Sequence, residues 1–260
     1  MKRAYLLASG LALAMAGIAV ADTAPASPAA PTVLAGVKAG TPTRMIYELE
    51  AKAYVLFIPA TGRASFTVDM KPDNYVINSR VKVTGIADWF INYDMVLQAS
   101  GYTRDNALKT YSYVSQNRDG KKNRRVNLTI GPDSFTMKAQ PEFGNLGDPA
   151  ATTEQVLKTN DPITALMKQV KTDAWSGNAI ECHVTMEKVA GYKKGESNKD
   201  NLSGIDGPLR MWLAPLENGA TVPVKIQADT DKIGKITLQA RKLRFEPIVT
   251  EEAAVTSNGQ

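Results

Sequence analysis

Cys182 and His183 stand side by side, and they are the only cysteine and the only histidine in the chain. A thiol beside an imidazole suggests a nucleophile with its base. Strand geometry argues against that chemistry. Ile180, Cys182, Val184 and Met186 alternate with Glu181, His183, Thr185 and Glu187, and neighbours on a strand point to opposite faces. Cys182 therefore reads as a small buried hydrophobe and His183 as an exposed polar residue. One Cys and one His are also too few for a zinc site. Carboxylates are scattered without the pairing a glycosidase needs. Gly-rich phosphate loops and Gly-x-Ser-x-Gly elbows are absent. The sequence thus nominates no catalytic, cofactor-binding or metal-binding residue, and the chain is expected not to be an enzyme.

Two groups remain that could bind. The densest basic run is 118–125, in which Lys121, Lys122, Arg124 and Arg125 could meet anionic head groups at a membrane surface. The same charges at a hairpin tip would simply keep a sheet edge soluble. The second group is apolar. Trp89 and Phe90, with Trp175 and Trp212, fall at junctions between segments of different pattern. Such aromatics either pack into the core or rim an apolar cavity.

Period-two alternation must position these residues. Ala64, Phe66, Val68 and Met70 alternate with Ser65, Thr67, Asp69 and Lys71, and Tyr75, Ile77, Val81 and Val83 return after Pro72-Asp73-Asn74. Further strands read as Met45 to Phe57, Tyr93 to Tyr102, Leu108 to Gln116, Arg125 to Ile130 and Ser134 to Gln140. After a helical break come Ala179 to Lys188, Leu209 to Ala214, Thr221 to Ala228 and Ile233 to Leu243. Asp119-Gly120 and Asn218-Gly219 mark hairpin turns. The break opens at Thr153-Glu154-Gln155. Asp161 then reads as an N-cap with Pro162 at the first helical position. Ile163, Leu166, Met167 and Val170 follow at helical spacing as one apolar stripe. The segment 86–92 reads as a short helix or wide turn. The fold class is mainly β: a curved antiparallel sheet of about ten strands, or an open barrel, with one or two helices in its concavity.

The N-terminus carries Lys2 and Arg3, an apolar run from Leu6 to Val20, and Ala19-Val20-Ala21. That is the layout of a secretory signal peptide cleaved after Ala21, which places the mature protein in the periplasm. The run is too short for a membrane span, and no other follows. Residues 22–43 are an Ala/Pro leader, 44–246 a single β-rich domain, and 247–260 a disordered tail. Lys2 and Arg3 leave with the signal, so the 31 basic residues fall to 29 against 26 acidic ones, a formal charge of +3. So small an excess points away from nucleic acid.

With Asp161-Pro162-Ile163-Thr164-Ala165-Leu166, Cys182, residues 208–213 (Pro-Leu-Arg-Met-Trp-Leu) and residues 222–226 (Val-Pro-Val-Lys-Ile), the chain resembles an exported bacterial family, domain of unknown function 3108. The resemblance runs from about Met45 to Leu243. It departs after Cys182, where Lys188-Val189-Ala190-Gly191-Tyr192 replaces the family's basic run. It implies a strongly curved sheet around a helix, similar to periplasmic lipoprotein carriers, and brings no activity. The expected function is an envelope protein binding a lipid or other apolar ligand in the concave face, lined by Trp89, Phe90, Ile163, Leu166, Met167 and Val170. The alternative is a non-catalytic structural or protein–protein module of the envelope.

Overall fold

The computed structural model describes residues 16–17, 42–55, 58–85, 88, 93–104, 107–118, 123–142, 149–167, 179–185, 187–189, 205–215, 221–230 and 234–248. In chain order its elements are β1 (Ala16–Gly17), β2 (Thr43–Val55), β3 (Ile58–Met70), β4 (Asn74–Thr84), β5 (Asp94–Arg104), β6 (Ala107–Asn117), β7 (Arg124–Ile130) and β8 (Phe135–Gln140). Then follow α1 (Thr153–Leu157), α2 (Pro162–Met167), β9 (Ile180–Val184), β10 (Glu187–Lys188), β11 (Ile205–Pro215), β12 (Thr221–Thr230) and β13 (Gly234–Pro247).

Among the described residues, eleven strands form one sheet in the order β8-β7-β6-β5-β4-β3-β2-β13-β12-β11-β9. Every pairing is antiparallel. The meander from β2 to β8 follows chain order, and β13 then returns to pair with β2, which joins the two halves edge to edge. β1 and β10 form a separate two-residue ladder. The mainly β class therefore holds, as an open antiparallel sheet with two short helices. The turn between β3 and β4 is closed by the Lys71 N–H donating to the Asn74 carbonyl at 2.8 Å.

The alternation read from the sequence becomes burial. Met45, Tyr47 and Leu49 on β2, Phe66, Val68 and Met70 on β3, and Met95, Leu97 and Ala99 on β5 all lie on one face and are buried. The opposite face carries cross-strand ion pairs, among them Arg44–Asp69 and Arg80–Asp94, each with a bidentate guanidinium. The sheet is curved: the Tyr47 hydroxyl on β2 donates to the Pro223 carbonyl on β12, although β13 stands between them. Two strand spacings amount to about 9–10 Å on a flat sheet, beyond the reach of a Tyr side chain. A smaller cluster of Val184, Met211, Leu213 and Ile226 lies towards the β9 edge, and Leu166 and Leu238 touch both clusters.

Both helices begin where the sequence says. Thr152 caps α1: its hydroxyl accepts from the Gln155 N–H, and the Gln155 side chain accepts from the Thr152 N–H. α1 packs against β8, and α2 lies across β4, β5 and β6. Cys182 needs a correction. It is half-buried, and its strand β9 is the last of the sheet among the described residues, with a neighbour there on one side only. The alternation around it is as expected, with Glu181 and His183 exposed and Val184 buried.

Candidate functional site beneath the second helix

Asp161 precedes Pro162, which opens α2 with φ already suited to a helix and an N–H that no helical bond would use. The Asp161 Oδ1 accepts from the Ile163 and Thr164 N–H groups, both at 3.0 Å, so it caps the helix as a side-chain acceptor. The other carboxylate oxygen turns to the sheet. Oδ2 accepts from the Thr110 hydroxyl on β6 at 2.6 Å, and the Asp161 N–H donates to that same hydroxyl at 3.3 Å. One turn on, the Thr164 hydroxyl lies 3.1 Å from the Tyr75 hydroxyl on β4. Asp161 is 1 % exposed and Thr164 and Tyr75 are 0 % exposed, so this lock is sealed from water.

A glycine makes room for it. A side chain on Gly101 of β5 would place its Cβ 2.6 Å from the Tyr75 hydroxyl and against the Lys109 carbonyl oxygen. Tyr75 lies over the space that any larger residue would fill. Only then does its hydroxyl reach α2.

Electrostatically the site is unbalanced. Among the described residues no Lys or Arg pairs with Asp161. Burial pushes its carboxyl above the ordinary range, opposed by the donors on Thr110, Thr164 and Ile163. Burial also raises Tyr75 to about 12. Tyr113 on β6 is pushed higher still, first by burial and then by the Asp161 charge. Among the described residues, the buried Tyr113 and Ser79 hydroxyls have no hydrogen-bond partner. Ser115 lies near enough to affect the Tyr113 titration but not in hydrogen-bonding geometry. A carboxylate already committed to three donors is built to hold a helix.

The apolar stripe of α2 is where the sequence places it. Ile163 and Met167 are buried in the main core, and Leu166 is half-buried between both clusters. Trp89, Phe90, Val170 and Trp175 lie outside the described residues. Trp212 does not face the concavity. Met211 and Leu213 point inwards, and the Lys225 Nζ sits 4.1 Å above the Trp212 ring on the outer face. Nor is the basic run brought together in its described part. Strand alternation turns Arg124 half-buried and Arg125 exposed, with the Arg125 Nε donating to the Asn127 Oδ1 at 3.0 Å, while Lys121 and Lys122 lie outside the described residues. Cys182 and His183 occupy opposite faces, and the His183 Nε2 lies 3.5 Å from the Glu181 carboxylate. Sequence reasoning found the Asp161 cap but missed Thr110, Tyr75 and Thr164. The available signal was a Tyr among inward apolar positions, whose hydroxyl needs a partner, and a Gly at an inward position on a nearby strand.

No helix among the described residues is long and apolar enough to cross a membrane. No curated protein matches the chain. A solved structure, described as a beta-barrel-like protein of domain of unknown function DUF1849 from Brucella abortus, aligns over 82% of this chain and 100% of its own at 11% identity and a TM-score of 0.34. So slight a likeness adds nothing to the strand order above. The family described as "Protein of unknown function (DUF3108)" matches residues 47–170, from within β2 to just beyond α2. Cys182, residues 208–213 and residues 222–226 lie past that match, so the expected extent to Leu243 contracts to the first half of the sheet and the helices. Residues 47–170, which hold the whole Asp161 lock, match the model of the family of unknown function DUF3108.

Proposed function

We propose that the protein is an exported, periplasmic envelope protein that holds a lipid or another apolar ligand against the inner face of its sheet. The observation that supports this is the partial cover of that face. Phe135 and Met137 on β8, Val224 on β12, and Leu243 and Phe245 on β13 are inward apolar residues left half-buried beside a closed core. The two helices, of five and six residues, lie mainly against β4, β5, β6 and β8, and α2 reaches the β9–β12 side through Leu166. Apolar surface of this kind is what a ligand site offers. Export follows from the signal layout. β1 would then belong to the precursor and leave with residues 1–21, ending its pairing with β10.

Native mass spectrometry of the protein purified from its own periplasm is the direct test, with co-purified lipid expected. Binding of an apolar probe dye by wild type and by Leu166→Ala is the second test, since Leu166 joins both clusters. A lipid-free protein that binds no apolar probe in its native state removes this reading. The competing reading, a non-catalytic interaction module of the envelope, draws on β8 and β9, the end strands of the sheet, whose outer edges could receive a partner strand.

A further inference from the structure

We propose that Asp161 makes the docking of α2 proton-dependent, so that the helix is held more tightly when this carboxyl group is protonated and released more readily as it ionises. The geometry carries the argument. One ionisable group sits at the junction, with one oxygen on two N–H groups of the helix and the other on the Thr110 hydroxyl of the sheet.

Among the described residues, the groups facing it offer no counter-charge. α2 itself has no charged side chain. β4 brings Tyr75, and the inward residues of β5 are Met95, Leu97, Ala99 and Gly101, preceded by the buried Tyr93. β6 brings Thr110 and Tyr113, and β1 is Ala-Gly. The Glu154–Lys158 pair of α1 is exposed to solvent. The buried phenols stay neutral, since burial raises them too. A carboxylate in such a place has three hydrogen bonds but no counter-charge to set against its desolvation, whereas its protonated form can donate to a hydroxyl.

The sign follows from linkage. The docked state binds the proton more tightly than an undocked state with Asp161 in water. Opening therefore becomes more favourable as pH rises from the ordinary carboxylate value through the raised one, and is insensitive to pH below both. Asn at this position keeps an oxygen for the two N–H groups and an amide to donate to Thr110, but it cannot titrate. The inference stands whether or not the sheet binds a ligand.

Hydrogen exchange of segment 161–167 in the full mature protein, corrected for intrinsic rates, is the test from about pH 5 to about pH 7.5. In wild type the opening equilibrium should rise by up to about tenfold per pH unit within the window. In Asp161→Asn it should be flat. A flat wild type, or an unchanged slope in the variant, overturns the proposal. Should the variant fail to fold, the carboxyl-carbon NMR titration of wild type decides instead. An Asp161 that titrates at or below the ordinary carboxylate range sinks the idea.

Discussion

Tyr75 and Tyr113 are both fully buried on the same face, yet loss of the hydroxyl should move stability in opposite directions. The Tyr75 hydroxyl is paired with Thr164. Tyr75→Phe leaves the Thr164 Oγ1 without that partner and should cost about 1–2 kcal/mol. The Tyr113 hydroxyl has no partner among the described residues, so Tyr113→Phe removes a desolvated group that gains nothing from folding, and should be neutral or stabilising by about 1 kcal/mol. Urea unfolding of the two variants reads the difference directly, and a shared sign would show that the hydroxyl assignments are wrong. Gly101→Ala probes the same packing by overfilling it. Its methyl group meets Tyr75 and the Lys109 backbone, so a loss of about 2–3 kcal/mol is expected, with the α2 amides less protected. These details were only half legible. Asp161-Pro162 announces a helix cap, because capping is local. Which hydroxyl takes the second carboxylate oxygen depends on β6 lying beneath α2, and no spacing within 161–170 encodes that.

At the scale of elements, α2 is the piece whose packing is most exposed to test. Ile163 is 1 % exposed and Leu166 is half-buried, so truncation should rank them. Ile163→Ala should cost about 3–4 kcal/mol and Leu166→Ala about 2 kcal/mol. Equal losses in thermal or urea unfolding would contradict the observed burial. The helix was readable because its apolar spacing and its cap agree. The strands were readable wherever one face is wet, as in 64–70 and 75–83. Their ends were not. β3 begins at Ile58, through Pro59, Thr61 and Gly62, where no alternation exists, because it runs in register with β2 from Val55↔Ile58 to Thr43↔Met70. β13 likewise extends past Leu243 to Pro247, opposite Thr43, across a register shift between Ala240 and Lys242. Pairing with a long neighbour decides such ends, and a single strand's sequence does not contain its neighbour.

For the whole molecule, two sets of carboxylates pull stability in opposite directions with pH. On the outer face the Arg80 guanidinium holds Asp94 below the ordinary range, and Arg241 does the same for Glu50. A group whose folded pKa is depressed adds stability above its unfolded value, and that stability is lost as pH falls through the folded one. These pairs are solvent-exposed, so each contributes little and less in high salt. Asp161 works the other way. Its raised folded pKa adds stability below the unfolded value, and the gain disappears as pH climbs through the raised one. The two windows meet at the ordinary carboxylate value, where both contributions are largely present, which puts the stability maximum near that value. Urea midpoints across a pH series should therefore rise and then fall as pH increases towards neutral. In Asp161→Asn the fall should vanish while the acid-side rise remains, since Asp94 and Glu50 are untouched. A wild-type profile that climbs without a turn up to neutral pH would mean that burial does not dominate the Asp161 carboxyl, and that its three hydrogen bonds stabilise the anion by more than desolvation costs it.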